Sequence, residues 1–396
     1  MKTGMNPVRN IRLLEAFSVC NGMMFAIPIL VPFYRDQIGL QFGDFMIADA
    51  MFMATMMLFD VPTGWIADVW RRKTTIMTGI AFTTAAWALM AFSSSFSMAL
   101  ASEIVLGVGF SLFSGTTSAM LYDTLLSCGQ EDAYVRLEGR RRAFAQYGTT
   151  IACIIGGLIY PLHHQLPMLL TVGFNLAGMF CVAATVEPVR HKLLAVKHPL
   201  ADMLDTARYA LHGHAEIGAL ILFSAVLYGT CKVIMWAQQP YYMALGLPEN
   251  LFGILTAVGS GFAGLASHMS HKAQKYVSAR RIVTLGWLLT IVTTAAAARA
   301  GLGGIAFLMV GGRFMQCFTE PHINNLINQH TGSERRATAL STASMLAQFV
   351  FIPVSIIIGQ ISDHAGIQTA LVSTAVWLGA AGGILWLLGQ KGRKTA

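Results

Sequence analysis

The chain has 396 residues, of which 55% are hydrophobic and only 12% are charged, so it has too few ionisable side chains to cover a soluble protein of this length. Its net charge of +8 would suit a nucleic-acid partner, but the distribution of that charge argues against one. Nearly all lysines and arginines fall at the termini and in every second loop between apolar stretches, which is the positive-inside pattern. We therefore predict a polytopic helical membrane protein with both termini in the cytoplasm.

About twelve apolar stretches are long enough to span a bilayer, because a spanning helix needs roughly 20 mostly apolar residues. Their centres lie near residues 23, 56, 84, 110, 152, 176, 228, 260, 289, 312, 350 and 378. A polar segment over residues 187–216 separates the sixth stretch from the seventh. We predict that it is a cytoplasmic linker between two six-helix bundles, residues 1–186 and residues 217–396. Two similar halves are typical of parallel-repeat transporters.

The loop after the second apolar stretch has a distinctive sequence, in which a glycine and an acid precede three consecutive cations. It reads Gly64-Trp65-Ile66-Ala67-Asp68-Val69-Trp70-Arg71-Arg72-Lys73. Gly64, Asp68, Arg72 and Lys73 match the signature loop of the major facilitator superfamily, whereas Val69 and Arg71 replace a basic residue and a glycine of that pattern. In this loop and in its topology the chain resembles that superfamily. The resemblance implies an all-α integral membrane fold with twelve transmembrane helices in two pseudo-symmetric six-helix bundles.

The resemblance also implies a gate at the cytoplasmic ends of the helices. Asp68 is expected to face the N-terminus of the eleventh helix, where an anion meets the positive end of the helix dipole. Arg72 is expected to reach a carboxylate at the end of the fourth helix, for which Asp123 is the candidate. The alternative for the three cations of the loop is that they only set its topology.

Charged residues inside the apolar stretches are candidates for substrate binding or proton coupling, because each costs on the order of 2.5–3.5 kcal/mol at the bilayer centre. They are Glu15, Asp49, Asp60, Glu103, Lys232, Arg313 and Glu320. Five acids against two bases leave carboxylates without an obvious partner, and such a group can take up a proton. A lysine or arginine that lines a cavity would suit an anionic substrate. For Glu15, Asp49 and Glu103 the alternative is a position near a helix end, and for Asp60 it is a structural role in the gate.

Within the superfamily the chain most resembles bacterial drug and metabolite exporters, including siderophore exporters. The expected function is secondary active efflux of a small organic molecule by alternating access, in antiport with protons. Proton symport that imports an organic acid or a sugar is the alternative. A polytopic membrane enzyme is a remote alternative, because no nucleophile or metal constellation supports one. An ATP-driven pump is disfavoured, since the sequence contains no phosphate-cradling Gly-Lys-Ser/Thr loop.

No metal or cofactor is expected. The six cysteines have no paired spacing, and the histidine pairs His163-His164 and His268/His271 come without a cluster of cysteines or carboxylates. The expected partners are the small-molecule substrate, protons and the lipid bilayer. We expect a monomer in the bacterial cytoplasmic (inner) membrane.

Overall fold

The computed structural model of the chain describes residues 6–188, 215–331 and 336–394. In these ranges the regular secondary structure is helical, and twelve helical stretches follow one another along the chain. They are α1 (Pro7–Gly22, continued by the short helical turns Ile27–Ile29, Leu30–Phe33 and Tyr34–Ile38), α2 (Phe42–Val69), α3 (Arg72–Ala91), α4 (Phe96–Leu126), α5 (Tyr134–Ile159), α6 (Leu166–Ala183), α7 (Ala215–Ala244), α8 (Asn250–Ala273), α9 (Ala279–Ala297), α10 (Gly303–Met309, Val310–Phe314 and Met315–His330), α11 (Arg336–Ala365) and α12 (Ile367–Lys394).

The helical membrane fold predicted from the sequence is confirmed. Within the described ranges, nine helices are long and apolar enough to cross a membrane, namely α1 to α4, α6 to α8, α11 and α12. The other three predicted centres, near residues 152, 289 and 312, fall in α5, α9 and α10. The number of crossings therefore stays a prediction for these three helices. Residues 189–214, which make up most of the predicted linker, lie outside the described residues.

Glycines allow several helices to approach each other closely. A Cβ atom on Gly79 of α3 would lie 2.9 Å from the carbonyl oxygen of Gly109 in α4, and a Cβ atom on Gly109 would meet Gly79 at the same distance. Gly148 of α5 would approach the carbonyl oxygen of Val19 in α1 to 2.8 Å. Close backbone contact is the main source of helix association in lipid, where the hydrophobic effect between helices is absent.

Two charged segments interrupt the regular α-helical winding with π-helical turns. One is Tyr34–Ile38 at the end of α1, which contains Arg35 and Asp36. The other is Val310–Phe314 in α10, which contains Arg313. A π-helical turn accommodates one extra residue and is frequently found at functional sites. The extra residue changes the helix face on which these charged residues lie, relative to the apolar residues around them.

The chain forms two compact units. The first unit holds the described residues of Met1–Leu40, Met51–Lys197 and Glu249–Ala257. The second holds those of Gln41–Ala50, His198–Pro248 and Val258–Ala396. The beginning of α2 thus belongs to the second unit, and the beginning of α8 to the first. The predicted division into sequential bundles, residues 1–186 and 217–396, stays a prediction.

Each unit has its own buried core. In the first unit Phe17 packs edge-on against Phe113, with ring centroids 6.2 Å apart, among aliphatic side chains that include Ile76. In the second unit Phe223 packs edge-on against Trp287 at 5.8 Å. These cores hold the helices that carry the charged residues described below.

Candidate functional site

An ion pair joins two predicted site residues in the second unit. Lys232 Nζ in α7 lies 3.4 Å from Asp49 Oδ2 in the first part of α2. Asp49 is only 5% exposed, and no hydrogen bond to its Oδ2 atom is formed within the described part of the chain. The separation is longer than the about 2.7–2.9 Å of a charge-assisted hydrogen bond. The pair is therefore an electrostatic contact that leaves one oxygen of a buried carboxylate without a donor.

Aromatic rings border the lysine of this pair. Lys232 Nζ lies 4.3 Å from the centroid of the Phe351 ring in α11, which is within the range of a cation–π contact. Trp236 lies one turn further along α7, on the same face as Lys232. Its ring packs edge-on against Phe45 of α2, with centroids 4.8 Å apart. The ammonium group of Lys232 thus has an anion and an aromatic face beside it.

Arg313 and Glu320 on α10 are exposed, unlike Asp49. Arg313 Nη1 lies 3.4 Å from the sulfur of Met235, which is three residues after Lys232 and so shares its helix face. Within the described ranges no carboxylate forms an ion pair with Arg313, and no cation forms one with Glu320. These two predicted site residues are therefore accessible charges in the second unit.

The remaining predicted acids lie in the first unit in different surroundings. Glu15 of α1 accepts hydrogen bonds from Arg140 at the start of α5, with an N–O separation of 2.6 Å. Glu103 of α4 is buried at 3% exposure. Asp60 lies in the exposed part of α2. Glu15 is therefore held in an ion pair with Arg140.

The loop between α2 and α3 makes one contact that the resemblance implies. Arg72 Nε lies 3.3 Å from Asp123 Oδ2 at the end of α4. The surroundings of Gly64, the side chain of Asp68 and residues 332–335 before α11 lie outside the described part of the structure. The expected contact of Asp68 with the eleventh helix therefore stays a prediction.

Two charges near this loop stabilise helix ends. Lys73 Nζ donates to the carbonyl oxygens of Ala183 and Thr185 at the end of α6, at 2.5 and 3.0 Å. Glu187 accepts from the backbone N–H of Arg72 at 2.7 Å and of Lys73 at 2.9 Å. A carboxylate there satisfies unpaired N–H groups and faces the positive end of the dipole of α3. Glu187 was not predicted, because the helix end that it caps is distant in the sequence.

Glu138 at the charged start of α5 was also missed. Its carboxylate accepts hydrogen bonds from Ser118, Arg141 and Arg142, at distances of 2.7–2.9 Å. Burial alone would raise the pKa of Glu138, but the hydrogen bonds from these donors outweigh it and lower the pKa to about 2. The sequence does contain a signal for this cluster. Glu138 lies three and four residues before two arginines, which is the spacing of helical ion pairs.

A third charged network, in the first unit, joins the ends of α1 and α5 to the start of α8. Arg35 bridges Asp36 and Glu249, with N–O distances of 2.6 Å to each. The Tyr160 hydroxyl donates to the other oxygen of Asp36 at 2.9 Å. Burial and the negative charge of Asp36 raise the pKa of Glu249, although Arg35 opposes the shift.

His164, in the first of the two histidine pairs, contacts a glutamine and a tyrosine. His164 Nδ1 lies 2.5 Å from Gln37 Nε2, and its ring packs against Tyr160 with centroids 4.6 Å apart. No group of three or more metal-ligating side chains occurs in the ranges that the structure describes.

Comparison with known proteins establishes the family. The sequence profile of the Major Facilitator Superfamily matches residues 13–339 of the chain. The chain belongs to this superfamily. It is therefore a membrane transporter, as the loop and the helices predicted. Among curated proteins, an uncharacterized MFS-type transporter of Bacillus subtilis (strain 168), YxaM, is 24% identical over 390 residues, which cover 92% of each chain.

Two solved transporter structures have the same fold as this superfamily member. The nucleoside transporter NupG superposes with a TM-score of 0.81 at 12% identity, over 97% of this chain and 99% of that one. A bacterial homolog of the human lysosomal transporter Spinster, in its inward-facing and unoccupied conformation, superposes with a TM-score of 0.77 at 14% identity, over 99% of each chain. At these identities the likeness shows the fold alone.

Proposed function

We propose that this superfamily member carries a small organic molecule across the bacterial cytoplasmic membrane by alternating access, and that protons are its coupling ion. The observation that supports proton coupling is the buried pair of Asp49 and Lys232, separated by 3.4 Å. Asp49 has Lys232 beside it, and its Oδ2 atom accepts no hydrogen bond within the described part of the chain, so that this oxygen could take up a proton. Ionisable groups inside transmembrane bundles commonly serve as proton relays for the same reason.

The proposed direction is efflux of a drug, a metabolite or a siderophore in exchange for protons. It rests on the resemblance to bacterial exporters. In this antiport mode the proton and the substrate bind in alternation, so that an inward proton gradient drives the substrate out.

A second candidate is proton symport of an organic acid. The observation that favours it is the presence of two cations beside one face of α7, Lys232 itself and Arg313 next to Met235. A buried lysine and an arginine suit a carboxylate-bearing substrate better than a cationic drug. In this mode the proton and the substrate bind together.

Transport assays in membrane vesicles of both orientations test coupling and direction together. The compounds would be an aromatic carboxylate, a nucleoside, a ferric siderophore and a cationic dye. Accumulation in everted vesicles indicates efflux, and accumulation in right-side-out vesicles indicates uptake. We expect transport of at least one compound to stop when the pH gradient is collapsed, and also in the variant Asp49→Asn. The control Asp44→Asn removes the same charge from the same helix. Transport indifferent to both the gradient and Asp49→Asn would contradict proton coupling.

We further propose that Gly64, Asp68, Arg72, Lys73 and Asp123 form a cytoplasmic gate. The contact of Arg72 with Asp123 and the capping of α3 by Glu187 support this role, because both fix the loop against neighbouring helices of the first unit. We expect Arg72→Gln to slow transport without lowering the amount of protein in the membrane. Unchanged transport rates would contradict the gate and would indicate that these residues only set the topology of the loop.

We propose that the protein is a monomer and that both of its termini lie in the cytoplasm. Reporter enzymes fused at positions 35 and 191 are expected to report opposite sides of the membrane. Reports from the same side would contradict the alternating topology.

A further inference from the structure

We propose that Arg313 and Glu320 of α10 bind the two ends of one dipolar substrate, a small organic molecule that carries an acidic group at one end and a basic group at the other. This inference rests on the proposed function in taking the chain as a carrier of a small organic molecule. It adds the charge type of that molecule and leaves the proposed exchange with protons unchanged.

Both charges lie in the middle of α10. Arg313 is ten residues from the beginning of the helix at Gly303, and Glu320 is ten residues from its end at His330. At 1.5 Å per residue, each is about 15 Å from the nearer end. Neither side chain is long enough to place its charge at a helix end, where a charged residue of a membrane helix is ordinarily tolerated.

The packing against α7 sets the depth of these charges. Arg313 Nη1 lies 3.4 Å from the sulfur of Met235. Tyr228, two turns earlier on α7, interacts electrostatically with Glu320. The segment Ile217–Ala244 of α7 is long and apolar enough to cross a membrane, and both Tyr228 and Met235 lie in its central part. The two charges of α10 therefore lie at the depth of the apolar core.

One face of α10 is polar and exposed at this depth. Arg313 and Glu320 are seven residues apart, which is about two turns, so they share that face. Asn324 follows one turn after Glu320 on the same face and is partly exposed. On the other side of the helix Met315 and Leu326 are buried, at 5% and 7% exposure. Exposed charges inside a membrane bundle face a water-filled path and not lipid, so this face suits a polar substrate.

The two charges are available to a ligand. Within the described ranges no ion pair is formed by Arg313 or by Glu320. Lys232 of α7 lies between their levels, and its ammonium group contacts Asp49, the proposed proton site, at 3.4 Å. Arg313 presents the planar fork that binds a carboxylate with two hydrogen bonds, and Glu320 presents an acceptor for an ammonium group. Their positions are about 10 Å apart along the helix axis, which is the length of a small organic molecule.

Alternating access explains why one ligand should bind both charges. The site must close off from water while the substrate crosses, and a charge that is closed off without a counter-charge is costly. A substrate with a single charge would compensate either Arg313 or Glu320 and leave the other alone. A dipolar substrate compensates both at once, so it favours the closed site over the empty one.

The test measures binding of 4-(aminomethyl)benzoate to the purified full-length chain by calorimetry at neutral pH, where both groups of this compound are charged. The single-charge controls are 4-methylbenzoate and 4-methylbenzylammonium, which have the same ring. We expect the dipolar compound to bind at least about fivefold more tightly than either control, because an exposed ion pair contributes up to a factor of that order. Glycine, whose charges are too close together to reach both residues, should bind no more tightly than the controls.

Two variants assign the preference to the two residues. Arg313→Gln should bind 4-(aminomethyl)benzoate and 4-methylbenzylammonium equally, because the acid has lost its partner. Glu320→Gln should bind 4-(aminomethyl)benzoate and 4-methylbenzoate equally. Arg299→Gln changes another exposed arginine of the second unit, just after α9, and should behave as wild type.

A charge exchange separates recognition from folding. The double variant with Arg313→Glu and Glu320→Arg presents the same two charges in the opposite order, so a dipolar ligand can bind it the other way round. We expect this variant to keep the preference for 4-(aminomethyl)benzoate, whereas Arg313→Glu alone should lose it. Thermal unfolding shows whether each variant is folded, and the comparison of compounds on the wild-type chain does not depend on any variant.

Equal binding of the dipolar compound and its two controls by the wild-type chain would overturn the inference. A preference that persists in both glutamine variants, or that is lost in a folded charge-exchange variant, would overturn it as well. The proposed function fails separately. Transport that depends on the pH gradient and on Asp49, with no preference for dipolar compounds, overturns only the substrate class. A dipolar preference as described, with transport indifferent to the gradient, overturns only proton coupling.

Discussion

Glu138 in the first unit and Asp49 in the second are both nearly buried, at 7% and 5% exposure, yet their surroundings differ. Glu138 accepts hydrogen bonds from two arginines and a serine. Asp49 faces one lysine at 3.4 Å, and its Oδ2 atom has no donor among the described residues. The comparison teaches that burial alone does not determine how many hydrogen-bond donors surround a carboxylate. The number of donors around the carboxylate is what separates Glu138 from Asp49.

The largest expected effect is on the stability that Glu138 provides. Glu138→Ala leaves the Arg141 guanidinium, only 13% exposed, without its carboxylate. We expect the free energy of unfolding to fall by about 3 kcal/mol, since removal of one partner of a buried pair leaves an uncompensated charge. Thermal and denaturant unfolding in detergent micelles measure this. Asp132→Ala, an exposed acid just before α5, is the control, and an equal loss in both variants would contradict the structural role.

The acid dependence of stability gives the next effect. The pKa of Glu138 is lowered from 4.5 to about 2 in the fold, so its contribution is present above the unfolded value and is lost as the pH falls towards the folded one. By about pH 3 we expect a loss of about 2 kcal/mol relative to neutral solution. This loss of stability between neutral pH and about pH 3 should be absent from the variant Glu138→Gln. Parallel stability curves for wild type and this variant would show that Glu138 is not responsible.

Asp49 and Lys232 should respond asymmetrically to substitution. Lys232→Met leaves a buried carboxylate without a cation, and we expect it to lower stability by about 1.5 kcal/mol. Asp49→Asn should have less effect, because Phe351 still contacts the ammonium group. The double variant should recover most of the loss, and a double-mutant cycle of unfolding free energies measures this coupling. Additive effects would show that the two residues do not interact.

Glu187 gives a smaller effect because it caps a helix. Glu187→Ala removes the acceptor for two N–H groups at the start of α3, and we expect a loss of about 1 kcal/mol in unfolding free energy. Glu187→Gln keeps an acceptor oxygen but no charge, so it should lose less. If the glutamine and alanine variants were equally destabilised, the charge and not the hydrogen bond would be decisive.

The smallest effect is expected at the ion pair of Arg35 with Glu249, because both side chains are partly exposed. The side chain of Arg35 is 46% exposed, so Glu249→Gln should change stability by less than about 1 kcal/mol. The raised pKa of Glu249 means that the fold favours its protonated form, so its contribution improves as the pH falls, opposite in sign to that of Glu138. Unfolding curves of this variant at neutral and mildly acid pH check the sign. A large loss at neutral pH would place Glu249 with the structural carboxylates.

The sequence predicted those features that depend on local patterns. Apolar length located the helices, and the loop at residues 64–73 indicated the family and the contact of Arg72 with Asp123. The sequence also indicated Asp49 and Lys232 as separate candidates, because each is a charged residue in an apolar stretch. Their pairing depends on the packing of the beginning of α2 within the second unit, which no local spacing reveals.

The acids that sequence analysis missed show the same limit. Glu138 lies at helical spacing from Arg141 and Arg142, so its cluster is predictable from the sequence by the rule for helical ion pairs. Glu187 caps a helix whose start is far away in the chain, and its role became visible only in the folded bundle. Contacts within one helix are thus predictable, whereas contacts between helices need the fold.

Infrared difference spectroscopy of the purified chain tests most directly whether Asp49 is the carboxylate that exchanges protons. It needs no substrate, because a protonated carboxyl group in an apolar site has its own carbonyl stretching band. On acidification from neutral to mildly acid solution, we expect this band to appear in wild type and in Glu138→Gln, and to be absent from Asp49→Asn. An unchanged band in Asp49→Asn would contradict the account, because another group would then carry the proton.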